Sequence, residues 1–445
     1  MSEKVKVHPI SGFPEWLPNL RLAEQRLIGT IRAQYELFGF APIETPAVER
    51  LDVLAAKGGM QRQIYSIGRP DADGEDSAVA LGLHFDLTVP LARYVVQHAA
   101  ELVFPFRRYQ IQKVWRGERA QRGRYREFYQ CDVDIIGRGS LDAIHDAEMP
   151  VIINATFQAL GLPDFQVHMS NRKILGQLLS AKAVPEDRTA AVLRVIDKSP
   201  KGETEQTRRS LGDEGLDNDV IPLILDLSRC ETVAEAREIL DRAGANPVGL
   251  DELQVVIETA MSLGMPESRI RPNFAIARGL DYYTGTIYET FVRGKEDWGS
   301  VCSGGRYDDL ASYFTDQKYP GVGISIGLSR LFSLLVDSGL LSAKSQTPTK
   351  VLVTMQDRKT YLREYLGLAR TLRESGIPSE AYLDPGSLRD QIGFASAKGI
   401  RYAVIAGGTE FDSDTVLVKD LDLRTQVTVA RGELVAYIKA GLSLD

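Results

Sequence analysis

The 445-residue sequence is poor in the residues that build many familiar sites. It has only three cysteines, Cys131, Cys230 and Cys302, widely spaced and odd in number. That spacing excludes a disulfide framework and a cysteine metal site, and it fits a reducing cytoplasm. Its five histidines form no HExxH or similar cluster, so a zinc-hydrolase reading has no support. No apolar run is long enough to span a bilayer, and Met1 to Pro9 holds no apolar signal segment, so no membrane partner is expected. There is no GxxxxGK[ST] loop and no strand-linked GxGxxG, which removes the two common glycine-rich phosphate cradles. A net charge of −7 argues against non-specific attachment to nucleic acid. Hydrophobic content of 44% and charged content of 25% are those of a globular protein, and the length predicts two or three domains.

Against that acidic background, Arg116, Arg119, Arg122, Arg124 and Arg126 crowd into eleven residues. This local reversal of sign suggests a site that holds a polyanion. The flanks alternate as strands do. Tyr109, Ile111 and Trp115 share one parity, and Gln110, Gln112 and Arg116 share the other. After the arginines, Tyr129, Cys131, Val133 and Ile135 form an apolar set, and Phe128, Gln130, Asp132 and Asp134 a mostly polar one. Period-two alternation puts these sets on opposite faces of a sheet, with the arginines on a hairpin between two strands. The polar face reads either as a solvated sheet surface or as a substrate platform.

The rest of the chain falls into segments. An amphipathic helix is predicted from Asn19 to Phe38, with Leu27, Ile28, Ile31 and Tyr35 on one stripe and Gly39 as its stop. A strand with two prolines follows, Phe40 to Val48, suited to an edge or an interface. Residues 1–169 and 263–340 mix strands with helices. Residues 170–262 are helical by periodicity and show no catalytic constellation. Residues 341–349 are small and polar like a linker, and residues 350–445 alternate strand and helix as a small α/β domain with a mixed sheet would. In GVGISIG, Gly321, Gly323, Ser325 and Gly327 share one face. That face is nearly bare, which lets a flat ligand approach the backbone or lets helices pack closely.

These segments together resemble the histidyl-tRNA synthetase family, within class II of the aminoacyl-tRNA synthetases. FGFAPIETPAVE (38–49) resembles motif 1, with Pro46 at its centre, and WRGERAQRGRYREFYQ resembles motif 2. FDLTVPLARY (85–94) and ARGLDYYTG (277–285) resemble the two segments that mark histidyl enzymes. SGGRYDDL with GISIGLSRL resembles the run into motif 3. Gly399-Ile400-Arg401-Tyr402 and Val418-Lys419-Asp420-Leu421 resemble the anticodon-binding domain.

The resemblance implies an α/β protein: a class II antiparallel sheet flanked by helices in an α+β catalytic core, a helical insertion and a C-terminal anticodon-binding domain. It implies a homodimer that activates L-histidine with Mg-ATP and then charges histidine tRNA. The magnesium would be carried by ATP, with no prosthetic group. By analogy, Arg116 and Arg278 are the catalytic cations at the α-phosphate, Arg278 also reaching the histidine carboxylate. Glu118 positions adenine, Arg124 holds the outer phosphates, and Phe128 and Arg330 sandwich the adenine ring. Asp86, Thr88 and Gln130 take the α-ammonium. Asp134 and a hydroxyl from the pair Tyr282 and Tyr283, Tyr283 first, answer the imidazole nitrogens, and Tyr307 walls the pocket. Thr88 also reads as a helix N-cap. The sequence departs from the family pattern at His84, Asp309 and Ser329, where an indirect role is expected for the imidazole. The rival reading is a synthetase-like regulatory subunit of histidine biosynthesis that does not aminoacylate. ARGLDYYTG and the C-terminal region, both kept here, argue against it.

Overall fold

The computed structural model describes residues 7–56, 61–68, 80–162, 164–198, 204–276 and 283–443. The chain divides into two compact units. One is Leu27–Ser338 with the segment ending at Pro14; the other is Gly339–Asp445 with Glu15–Arg26.

The strands of the first unit, in chain order, are β1 (Ala41–Pro42), β2 (Val48–Arg50), β3 (Ser66–Ile67), β4 (Leu81–Leu83), β5 (Phe106–Trp115), β6 (Glu127–Ile136), β7 (Phe165–Asn171), β8 (Ile270–Pro272), β9 (Thr286–Val292), β10 (Cys302–Tyr307) and β11 (Gly321–Gly327). Eight of them form one sheet in the order β1-β5-β6-β11-β10-β9-β7-β8. Its six inner strands are antiparallel, and only the edge strands β1 and β8 pair in parallel. A small sheet, β2-β4-β3, leads into the segment around residues 84–88.

The predicted parities are those of the sheet. Tyr109, Cys131, Val133 and Ile135 are buried on the apolar face. The helix Pro18–Leu37 presents Leu27, Ile28, Ile31 and Tyr35 as its buried stripe, and the Tyr35 hydroxyl donates to the Cys131 carbonyl at 3.0 Å. Gly39 follows at φ +77°, a left-handed turn that favours glycine. The helix Ile144–Ala159 packs on β10 and β11. There Arg306 reaches Asp146 with Nη2 at 2.7 Å, which fixes one face of β10 and leaves Ser303 and Tyr307 on the other. Helices occupy Arg172–Ala181, Glu186–Lys198, Thr204–Asp213, Val220–Arg229, Val233–Ala243 and Val248–Ser262.

The expected strand from Phe40 to Val48 is shorter than its pattern. Only Ala41 and Pro42 pair with the large sheet, and Val48 begins β2. Pro42 and Pro46 each lack an N–H donor, so a longer ladder has nothing to close it.

The second unit holds β12 (Val351–Val353), β13 (Ser379–Ala381), β14 (Tyr402–Ile405), β15 (Thr415–Asp420) and β16 (Thr425–Ala430). Their order is β13-β12-β14-β15-β16, parallel at the first three and antiparallel beyond. Val351, Val353, Tyr365, Leu368, Leu372, Val404, Val416 and Ile438 form its core. The helix Leu388–Lys398 starts in a Ser387–Asp390 capping box and stops at Gly399, φ +69°. Among the described residues no helix is long and apolar enough to cross a membrane.

Candidate active site

The polar face of β6 is the spine of the site. In the antiparallel register Gln130 lies between Gln112 of β5 and Gly327 of β11, Asp132 between Gln110 and Ser325, and Asp134 between Arg108 and Gly323. The near-absence of side chains on this face of β11, Gly321, Gly323, Ser325 and Gly327, is what opens space above β6. A Cβ at Gly323 would stand 2.1 Å from Asp134 Oδ1. Two cavities lie along this face, of about 640 and 560 Å³, and they share Arg116, Gln130, Ser303 and Ser325.

The larger cavity is cationic. Arg116, Glu118, Arg124, Phe128 and Arg330, all singled out in the sequence, line it together with Gly123. Arg116 is aimed by its Nε, which donates to the Phe85 carbonyl at 3.0 Å, and its guanidinium lies 5.2 Å from the Phe128 ring centre. Arg330 is clamped by two carbonyls, Gly123 at 3.2 Å from Nε and Ser300 at 2.6 Å from Nη1. Burial, then the neighbouring Arg124 and Arg116, push its guanidinium below the ordinary value. Three cations crowding one cavity, with Glu118 3.9 Å from Arg124, make a site that gains when an anion enters.

The smaller cavity is acidic. Asp86, Thr88, Gln130, Asp132, Asp134, Tyr283 and Tyr307 contribute to its wall. Asp134 is ion-paired through Oδ2 with the fully buried Arg108, at 2.5 Å from Nη2. Its Oδ1 accepts from the Tyr307 hydroxyl at 2.7 Å. Burial raises the Asp134 carboxyl, and Arg108 and Tyr307 oppose the rise. Burial also pushes Asp86 up to about 6, and Asp132 up to about 7 with help from Asp134. Carboxylates that are this reluctant to ionise when the cavity is empty suit a cationic ligand.

Several readings from sequence change here. Gln110 and Gln112 share the polar parity but do not line either cavity. Their amides tie the sheet to motif 1, donating to Thr45 Oγ1 and Thr45 O, both at 3.0 Å. Thr88 is not the helix cap: it is the first residue of the helix Thr88–Gln97, and Asp86 Oδ1 accepts from Val89 N at 3.1 Å instead. Tyr307 is more than a wall, because its hydroxyl orients Asp134. Arg278 and Tyr282 lie outside the described residues. The residues missed are Arg108, Asp132, Ser303 and Ser325. Only their parity marked them, since a buried arginine or serine on a strand looks like a surface residue until the register pairs it.

The three departures are accommodated. His84 is fully buried, with Nε2 2.8 Å from the Lys113 carbonyl and its ring centre 5.5 Å from Trp115. It thereby secures the strand next to Phe85, whose carbonyl aims Arg116. Asp309 has φ −117°, which any residue adopts, so a glycine is not required there. Ser329 accepts from Tyr129 N at 3.0 Å and binds the helix Leu328–Asp337 to β6.

Comparison with known proteins follows the same lines. The family profile of histidyl-tRNA synthetase matches residues 12–331, and that of an anticodon binding domain matches residues 350–441. The chain is 42% identical to the Histidine–tRNA ligase of Xanthomonas axonopodis pv. citri, over 98% of this chain and 97% of that one. It is 42% identical to the Histidine–tRNA ligase of Stenotrophomonas maltophilia, over 98% of each. The crystal structure of histidyl-tRNA synthetase from Nostoc sp. PCC 7120 superposes with a TM-score of 0.89 at 38% identity, covering 98% of this chain and 100% of that one.

Proposed function

This chain belongs to the histidyl-tRNA synthetase family, and on that footing we propose that it activates L-histidine with ATP and passes the histidyl group to histidine tRNA. It is an aminoacyl-tRNA synthetase, and such an enzyme uses ATP. The observation that carries the finer reading is the pair of joined cavities, one cationic and one acidic, on a single strand face.

In the first step a carboxylate oxygen of histidine attacks the α-phosphorus of ATP. The bond to the bridging oxygen breaks, and pyrophosphate leaves. Arg116, held by the Phe85 carbonyl, grips the α-phosphate. Arg278, assigned by resemblance alone, faces the same phosphate and the amino-acid carboxylate, and Arg124 holds the outer phosphates. Phe128 and Arg330 take the adenine ring between them, with Glu118 at its edge. Asp134, primed by Tyr307 and Arg108, accepts from one imidazole nitrogen and Tyr283 answers the other. Asp86, Thr88 and Gln130 receive the α-ammonium. In the second step the ribose hydroxyl of the terminal adenosine attacks the carbonyl carbon, and AMP leaves. Such chemistry needs positioning and charge neutralisation, with no nucleophilic side chain. Magnesium travels on the triphosphate in this reading, bound by phosphates and water.

We assign residues 1–169 and 263–340 to catalysis, 170–262 to a helical insertion, 341–349 to a linker and 350–445 to anticodon binding. A homodimer through motif 1 is supported by the exposure of Glu44, Pro46 and Val48 beside the anchored Thr45. The non-aminoacylating regulatory reading is disfavoured by ligase relatives aligned over nearly the full chain. Histidine-dependent exchange of pyrophosphate into ATP, followed by charging of histidine tRNA, is the test. Both activities are expected, and a folded protein without histidine-dependent exchange would overturn the reading.

A further inference from the structure

Three buried acceptors along the smaller cavity have no hydrogen-bond partner among the described residues: Asp86 Oδ2, Gln130 Oε1 and Asp132 Oδ1. Their side chains all line that cavity, and the residues are 1%, 8% and 2% exposed. Each is oriented by what its other atom does. Asp86 Oδ1 is held by Val89 N at 3.1 Å. Gln130 Nε2 donates to Ser325 Oγ at 2.7 Å, which leaves its oxygen as the free acceptor. Asp132 bonds to Ser325 as well. Unpartnered buried oxygens are costly, so a site that keeps three of them is waiting for donors. A primary ammonium carries three N–H donors and no acceptor, which matches the count.

We propose that Asp132 is a substrate-binding residue that takes one N–H of the substrate's α-ammonium, completing a three-oxygen seat with Asp86 and Gln130. The inference rests on the histidine-activating reading and adds a residue that motif comparison did not supply. Asp132 takes the third N–H in place of the Thr88 contact that the resemblance implies, so Thr88 only walls the seat, and Asp132 gives it a second negative charge. The groups facing Asp132 leave that charge available. Gln110 and Ser325 lie opposite it on the neighbouring strands. The guanidinium of Arg108 is within reach but pairs with Asp134, while Asp86 and Asp134 are like-charged neighbours. Cys302 and Tyr35, also nearby, are uncharged at neutral pH, because burial raises both. In the empty protein burial keeps the Asp132 carboxyl partly protonated near neutrality, at about 7. An arriving ammonium displaces that proton, so histidine binds less tightly as the pH falls below about 7.

The test is Asp132→Asn in the full chain, read by pyrophosphate exchange and by two competitive inhibitors. Histidinol keeps the ammonium and imidazole; 3-(imidazol-4-yl)propionate keeps the imidazole but has no ammonium. The KM for histidine and the inhibition constant of histidinol should each rise about tenfold or more, the loss of one charged hydrogen bond. The KM for ATP and the inhibition by imidazolylpropionate should change less than about twofold on the same scale. The variant should also lose part of the wild-type pH dependence of histidine binding. Asp132→Ser serves as the second variant if the asparagine form fails to fold by circular dichroism. An unchanged KM for histidine, or equal losses for both inhibitors, would overturn the seat. If the wild type itself shows no histidine-dependent exchange, the functional reading fails first; if the wild type is active and both variants match it, only the seat fails.

Discussion

Asp132 and Asp86 set stability against function. Burial lifts them to about 7 and about 6, whereas in an unfolded chain each titrates near the ordinary aspartate value of about 3.9. Between about pH 4 and pH 7 the folded protein therefore binds more protons than the unfolded one, so these two groups make stability fall as the pH rises through that window. Asp132→Asn removes a cost on the order of 4 kcal/mol at pH 7.5. Its thermal midpoint is expected a few degrees above that of the wild type at pH 7.5, with the gap narrowing by about pH 5, as scanning calorimetry would report. A variant that melts lower at pH 7.5 would contradict this. Gly323→Ala acts in the opposite direction on the same cavity. Its methyl group would meet Asp134 Oδ1 at 2.1 Å and the Val133 carbonyl at 2.6 Å. Overpacking of this kind costs about 1–3 kcal/mol, so a lower midpoint is expected with a KM for histidine at least about tenfold higher. Arg116, Gln130 and Asp134 were legible because their types and parity stand out from a quiet background. Arg108 was not, because its partner is 26 positions away in sequence and only the β5–β6 register brings Asp134 opposite it.

At the level of elements, period-two alternation foretold β5, β6 and the hairpin between them, and the bare face of β11 was visible in its spacing. What the pattern could not foretell is which polar residues serve the scaffold. Gln110 and Gln112 look like Gln130 in sequence, and only the approach of Thr45 from motif 1 separates them. β16 was missed because its alternation is short, with only Val427 and Val429 on one face. The arginine hairpin depends on its turn. Gly123 sits at φ +69°, its carbonyl holds Arg330, and an added Cβ would lie 2.9 Å from the Trp298 ring. Gly123→Ala is therefore expected to raise the KM for ATP about tenfold, consistent with a strained turn of about 1–2 kcal/mol, while the KM for histidine stays within a factor of about two. Equal increases for both substrates would show that the turn does not serve the nucleotide end alone.

For the whole molecule, the division into two units, each with its own sheet, predicts two unfolding transitions in calorimetry. Histidine together with a non-hydrolysable ATP analogue should raise only the transition of the unit holding β5, β6 and β11. At about a hundredfold excess over Kd the gain is about 2.7 kcal/mol. A parallel rise of both transitions would refute independent unfolding. The change of composition near residue 341 lies close to the boundary between the units at Gly339. The assignment of Glu15–Arg26 to the second unit had no signal in the sequence, because the helix Pro18–Leu37 runs across that boundary without a break.

β6 also acts as a gauge. Phe128 and Asp134 lie on one face of one uninterrupted strand, six residues apart, which is roughly 20 Å. In the proposed reading, the spacing between the nucleobase end and the side-chain end of the reactants is thus set by backbone covalent geometry, with no hinge in between. In the proposed reading, retuning toward another amino acid can be confined to Asp134 and the facing Gly323, while Asp132, which serves a group common to all amino acids, and the nucleobase end stay as they are.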